Sequence, residues 1–362
     1  MIKQPLRIFG LALLCGFAAP SMSEENPNVI HYLHKMSNPE NGMGAREAGS
    51  ENEQKAASLI LSELKSLGYT VSEQKFKHPV LQKKDEFVHS SNIIADKKGQ
   101  SDKVLVLGAH FDSTGSNKGS LGAMDNGSGS AVLLAVARQI SKMDDLPYSV
   151  RFVAFGAEEI GLVGSRKYME MLKGEQPEEL ARIVGMVNLD TVAGGDYLYV
   201  HSAHTTAYKC GGDNSQFSSE ITMREALLAA STAKLGDDAH KIHPEFPGYP
   251  EGVTGDWSDH EPFACNGVPI AYIETTNFQI NGKDGYDGYS QSTDPALWDC
   301  YDAEKMTACD RDKESLWGRI WHEKHDRLDY LLEYMPKRIH SQLENNVTVL
   351  VEFFSNPTDY LK

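Results

Sequence analysis

The sequence predicts an α/β protein, a three-layer α/β/α arrangement around a mixed, mostly parallel sheet. Two observations carry this expectation: short apolar runs alternate with segments of helical period, and several of those runs end abruptly in a polar motif. Ser50-Glu-Asn-Glu53 has the form of a capping box, and Ala56, Ala57, Ile60, Leu64 and Leu67 follow at helical spacing until Gly68. Val104 to Leu107, Val150 to Phe155, Met186 to Leu189, Tyr197 to Val200 and Ile270 to Ile273 are the length and composition of buried strands. Between the first two, Ser128 to Met143 places Ala131, Leu134, Ala135, Ala137 and Ile140 on a face suited to covering a sheet. Two Gly-, Asp-, Tyr- and Ser-rich stretches, 205–255 and 279–319, break this rhythm. They are expected to be insertions shaping a pocket rim within one domain spanning 24–362.

The first 23 residues have the layout of a secretory signal peptide: Lys3 and Arg7, an apolar stretch around Ile8 to Ala19, then Ser21 and Ser23. That stretch is too short to anchor stably across a bilayer, and no later run is long and apolar enough to span one. Periplasmic or secreted localisation without a membrane anchor is the expectation; oligomeric state has no signature. Losing Lys3 and Arg7 would take the formal charge of −16 to about −18, a surface that argues against nucleic acid as a partner. Four cysteines follow the leader: Cys210, Cys265, Cys300 and Cys309. An even number in an exported chain points to disulfides, with Cys300–Cys309 the preferred pair because polar, loop-like sequence separates them.

Four polar motifs occur where the apolar runs stop: His110-Phe-Asp112-Ser, Gly122-Ala-Met-Asp125-Asn-Gly-Ser-Gly, Ala157-Glu158-Glu159, and Asn188-Leu-Asp190. Singly, His110 reads as a loop residue, Asp125 as a helix N-cap, Asp190 as a turn residue and the two glutamates as a solvated turn. Together they differ. In an open α/β sheet the loops beyond the strands' carboxyl ends share one crevice, and so many carboxylates there demand cations among them. Zinc accepts the nitrogen and oxygen donors that His, Asp and Glu offer, and paired metals are a standard device for amide hydrolysis.

In this order, HFDS, GAMDNGSG, AEEIGLVGS and NLD resemble the co-catalytic zinc aminopeptidases of peptidase family M28. SDHEPF from Ser258, GVPIAYIETTN and NGKDGY are similar to the bacterial periplasmic branch named for alkaline phosphatase isozyme conversion. The resemblance implies a zinc exopeptidase-like fold and two zinc ions. It makes His110 and Asp190 ligands of one ion, Asp125 a shared carboxylate, and Glu159 with a late histidine ligands of the other. Glu158 becomes the general base acting on a zinc-activated water, and Asp112 fixes the His110 tautomer. The late histidine is expected to be His322, four residues before Asp326, with His325 as competitor.

Peptide or protein N-termini are the implied substrates, with a basic first residue weakly favoured by the acidic surface. Asp259, His260 and Glu274 are candidates to line the specificity pocket, although Ser258 capping a helix among loop acids is an equal alternative. Tyr286, Tyr289 and Trp298 wall that pocket or pack the second insertion. Gly161 and Gly164 suit a tight turn into a helix capped by Ser165. Rival functions are glutaminyl-cyclase-like chemistry, carboxypeptidase action, for which no motif supplies an obvious arginine, and a metal-free binding ectodomain.

Overall fold

In the computed structural model, residues 28–80, 83, 85–282 and 287–361 are described; the expected leader and Tyr286 lie outside them. The chain builds α1 (Val29–Ser37), α2 (Glu51–Ser66), β1 (Thr70–Pro79), β2 (Phe87–Lys97), β3 (Val104–His110), α3 (Gly129–Ile140) and β4 (Ser149–Phe155). It continues through α4 (Val163–Glu175), α5 (Pro177–Arg182), β5 (Ile183–Leu189), β6 (Tyr197–Ala203), α6 (Thr222–Leu235) and β7 (Val253–Thr254). The later elements include α7 (Glu261–Ala264), β8 (Ile270–Thr276), a two-stranded ribbon of β9 (Tyr301–Asp302) and β10 (Thr307–Ala308), α8 (Leu328–Tyr334) and α9 (Pro336–Ser355).

Eight strands form one sheet in the order β1-β2-β4-β3-β5-β8-β6-β7. The central β4, β3, β5 and β8 run parallel, whereas β1, β2 and β6 join antiparallel. This is the mixed, mostly parallel sheet that the apolar runs predict. From β3 the chain passes to β4 on one side and then back to β5 on the other, so a switch point opens beyond their carboxyl ends. Apolar side chains of α1, α2, α3, α6 and α9 cover one face, and those of α4 and α7 cover the other.

The capping box forms, with Ser50 accepting from the Glu53 amide. Glu53 does more than close the box. Its buried carboxylate accepts from the amides of Gly49 and Ala157 and from the Ser90 hydroxyl, joining the start of α2 to β2 and to the turn after β4. Ala157 lies at φ 56°, a conformation disfavoured for a residue bearing a Cβ, so this anchor fixes a strained turn. Burial is the main reason that the Glu53 carboxyl is pushed up to about 7.

Several local expectations need correction. The 205–255 stretch, expected as a rim insertion, contributes α6, whose Met223, Ala226, Leu227 and Ala230 pack in the main core. Ser165 does not cap α4: Leu162 precedes it in a left-handed conformation, and the Ser165 hydroxyl donates to the Leu162 carbonyl from inside the first turn. Gly161, at φ 112°, serves the turn. Gly164 serves close packing instead, since a Cβ there would stand 2.3 Å from the Gly156 oxygen. Ser258 likewise does not cap α7; its hydroxyl accepts from Asn188 Nδ2 at 2.8 Å.

Cys300 pairs with Cys309, and Cys210 with Cys265. Non-reducing peptide mapping is expected to recover both pairs. Loss of Cys210–Cys265, which closes 55 residues, should lower stability by about 4 kcal/mol in the loop-entropy account, against about 3 kcal/mol for the shorter loop; urea unfolding of serine double variants measures both.

Glu53 makes a prediction about pH. Its folded pKa is raised from 4.5 to about 7, so the folded state keeps a proton that the unfolded chain releases first. Its contribution is full below pH 4.5 and is lost as pH rises towards 7, by at most about 3 kcal/mol. Unfolding between pH 4.5 and 7 should show a shallower loss in Glu53→Gln than in the parent chain; equal slopes would remove Glu53 as the source.

Candidate metal centre

The three central strands deliver the predicted residues to one crevice. His110 is the last residue of β3, Glu158 and Glu159 follow β4, and Asp190 follows β5. Asp125 comes from the loop before α3, where the Asp125–Asn126 peptide is cis. His322 comes from the loop before α8, and Gly115 admits it closely: a Cβ at Gly115 would lie 2.9 Å from the His322 carbonyl oxygen.

Asp125 is central to the geometry. Its Oδ1 lies 3.5 Å from His110 Nε2, and its Oδ2 lies 3.1 Å from His322 Nε2. Around His110 Nε2 stand Asp190 Oδ1 at 3.4 Å and Glu158 Oε2 at 4.0 Å; beside His322 Nε2 stands Glu159 Oε2 at 3.0 Å. Two donor groups therefore share one carboxylate. His325 is elsewhere: its ring stacks on Tyr330 at 4.9 Å, so the loop directs His322, not His325, into the crevice.

Asp112 lies behind this cluster and is fully buried. One oxygen is 3.5 Å from His110 Nδ1 and accepts the Glu158 amide at 3.0 Å, while the other accepts the Glu159 amide at 3.1 Å. The sequence suggests only the contact with His110. The amide contacts show that the same carboxylate also holds the backbone of the two-glutamate turn.

The charges conflict as they stand. Burial pushes the Glu159 carboxyl up to about 8, reinforced by Asp125 and opposed by His322. Burial likewise raises Glu158 well above the usual carboxylate range, with Asp259, Glu159 and Asp190 adding to the rise. Burial disfavours imidazolium at His322, but Asp125 and Glu159 outweigh it and push the group up to about 10. Protons are thus drawn in to neutralise clustered acids. Both ring nitrogens of His110 and Oε1 of Glu159 are buried without hydrogen-bond partners. Orphaned donors of this kind, in a mixed nitrogen and oxygen set, fit divalent cations.

Further residues fasten the loops. Asp326, fully buried, accepts the Met124 amide at 2.6 Å, and its carbonyl accepts the Leu121 amide, tying the His322 loop to the Asp125 loop. Asn126 donates to the Leu189 carbonyl and accepts from Gly129 and Thr191 amides, joining the Asp125 loop to the end of β5. Arg46, buried beside α1, donates to the carbonyls of Met36, Gly44, Phe111, Leu121 and Gly122. Burial lowers its guanidinium to about 10. Asn126 and Asp326 sit inside recognisable motifs, whereas nothing local marks Arg46 as a loop organiser.

The three suggested substrate residues occupy different settings. Asp259 and His260 are fully buried, and His260 Nε2 meets the Gly255 carbonyl at 2.7 Å. Burial pushes the Asp259 carboxyl up to about 7, with His110 opposing. Glu274 retains 18 % side-chain exposure and lies 2.9 Å from His201 Nε2. Trp298 packs inside, its Nε1 donating to the Ser292 carbonyl, while Tyr289 is exposed.

Comparisons with known proteins bear on the family and the fold. An Escherichia coli protein described as "Alkaline phosphatase isozyme conversion protein" is 27 % identical over 258 residues, covering 67 % of this chain and 70 % of that one. "Aminopeptidase YwaD" of Bacillus subtilis is 33 % identical over 189 residues, 50 % of this chain and only 35 % of that longer protein. Among solved structures, a zinc aminopeptidase from Bacillus subtilis superposes with a TM-score of 0.60 at 19 % identity, covering 90 % of this chain and 94 % of the other. A glutaminyl cyclase from Porphyromonas gingivalis gives the same TM-score at 18 % identity, covering 91 % and 96 %. These two share the fold. The family model for peptidase family M28 matches residues 92–346, a span containing every strand-end motif, and the chain belongs to that family.

Proposed function

We propose that this protein is an exported, zinc-dependent aminopeptidase that hydrolyses the first peptide bond of peptides or proteins. The observation that carries the reading is Asp125, with one oxygen facing His110 and the other facing His322. That geometry suits a carboxylate shared by two ions, with His110 and Asp190 completing one group and Glu159 and His322 the other. Two zinc ions would supply Lewis acidity towards the scissile carbonyl and lower the pKa of the attacking water.

The chain's own groups do the remaining work. Glu158 accepts the proton of the attacking water on its carboxylate and returns it to the departing amine. Asp112 holds the Glu158 and Glu159 amides and faces His110 Nδ1, which keeps Nε2 directed into the crevice. Asp259, fully buried, raises the proton affinity of Glu158. The carboxylates of the cluster also suit a substrate's free α-ammonium group, which would confine cleavage to the terminal residue. Glu274, still partly exposed beside His201, fits the wall of the pocket for that residue better than the fully buried Asp259 and His260.

Two disulfides and the similarity to the E. coli isozyme conversion protein support export. Among the described residues, no helix is long and apolar enough to cross a membrane. Glutaminyl cyclases share the fold, but the doubled donor set around Asp125 favours the peptidase reading.

Glu158→Gln should retain bound metal and its melting temperature while kcat falls by about 10²–10⁴-fold on aminoacyl nitroanilides. Unchanged turnover would remove Glu158 from the reaction. His322→Ala should reduce zinc stoichiometry by about one ion per chain in elemental analysis, whereas His325→Ala keeps it; the reverse pattern would move the ligand to His325.

A further inference from the structure

Beside His322 the rim carries a guanidinium. The Arg319 guanidinium lies over the Trp321 ring, 3.5 Å from its centroid, and Arg319 Nε donates to the Trp321 carbonyl at 3.0 Å. The shelf is fixed from below, because Gln291 Oε1 accepts the amides of both Ile320 and Trp321 while its Nε2 donates to the Thr275 carbonyl on β8. Trp321 in turn meets the His322 ring edge-on at 4.9 Å. The exposed Tyr289 flanks the same spot, 6.0 Å from the guanidinium and 6.2 Å from Trp321.

Structural pairing does not account for this charge. Its ion-pair partner among the described residues, Glu323, stands 3.7 Å away and is held more closely by Lys118 at 3.0 Å. The Arg319 side chain keeps 25 % exposure, and Asp125 lies within its electrostatic reach. A planar guanidinium braced on an aromatic face is preorganised to bind a carboxylate through two parallel N–H bonds.

Its location indicates which carboxylate. A substrate with its amino end among Asp125, Glu159 and Asp190 must leave the crevice along the rim, and an extended peptide advances roughly 3.3–3.6 Å per residue. Two successive ring contacts, of 3.5 and 4.9 Å, separate Arg319 from His322, a spacing that one or two extended residues can span.

We propose that Arg319, seated on Trp321, forms a leaving-group subsite that recognises a carboxylate one or two residues downstream of the cleaved bond. This rests on the aminopeptidase reading. The recognised group is the free C-terminus of a short peptide or an Asp or Glu side chain at the same distance in a longer one.

The test uses the zinc-loaded full chain and one N-terminal residue, X, chosen from a nitroanilide panel. Substrates are the X-nitroanilide, X-Ala-Ala as free acid and as C-terminal amide, and X-Ala-Glu-Ala-Ala amide beside its all-alanine counterpart. The parent enzyme should favour the tripeptide acid over its amide by about tenfold in kcat/KM, chiefly through KM. Arg319→Gln should bring that ratio close to one while nitroanilide turnover changes less than about twofold. Arg319→Lys, which keeps charge but loses the planar fork, should fall between. A matching gain for the internal glutamate peptide identifies side-chain carboxylates as ligands too; a gain confined to the free acid assigns the subsite to C-termini. Equal rates for acids and amides in the parent enzyme, or an equal loss on the nitroanilide in Arg319→Gln, would overturn the subsite and leave the aminopeptidase standing. No release from any nitroanilide by the parent would remove both.

Discussion

Crowding of like charge governs this protein's architecture. Asp112, Asp125, Glu158, Glu159 and Asp190 converge at the ends of three parallel strands, with Asp112, Asp125 and Glu158 fully buried or nearly so. An uncompensated carboxylate in such a place costs several kcal/mol, so the site exists only with donors and positive charge arranged around it. Backbone amides meet part of the requirement: those of Glu158 and Glu159 are both spent on Asp112. His110 and His322 add to this within the cluster, and divalent cations would supply the remaining positive charge.

Such a cluster also needs rigid walls, and these come from residues far away in the chain. Arg46 illustrates the principle. Its guanidinium touches none of the acids, yet its five donated hydrogen bonds bind the segments following α1 and β3 to the loop before Asp125. It places a buried positive charge within reach of Asp326, Asp112, Asp125 and Glu159. Glu53 performs a complementary task on the other side, holding the Ala157 amide at the entrance to the two-glutamate turn.

The strand ends were legible because buried parallel strands are continuous apolar runs, and a His, Asp or Glu that stops such a run is conspicuous. The β1–β2 hairpin was not, since β1 has no fully buried residue, with Val71, Gln74, Phe76 and His78 half-buried, and β2 turns fully buried only from Ser91 to Ala95. Helix α9 was hidden differently. Gln342 and Asn346 lie on its buried face, where they bond Gly194, Gly195 and Val192, and thus interrupt the apolar stripe that marks an amphipathic helix. Pair spacing distinguished His322 from His325 only through resemblance. What separates them in space is the left-handed conformation of His322, at φ 59°, together with the Tyr330 stack that retains His325. The role of Arg46 had no local signature because its guanidinium bonds only backbone carbonyls, most of them brought near by tertiary folding.

Shared fold does not decide between peptidase and cyclase chemistry, since solved members of both superpose on this chain equally well. Within this chain, hydrogen bonds couple the donor loops to one another. Asp326 connects the His322 loop to the Met124 amide, one residue from Asp125, and Asn126 connects that same segment to the end of β5 before Asp190. Hydrogen bonds thus link the loops that carry His322, Asp125 and Asp190. A donor set linked in this way behaves as one unit with two lobes, and binding at either lobe would order the carboxylate they share.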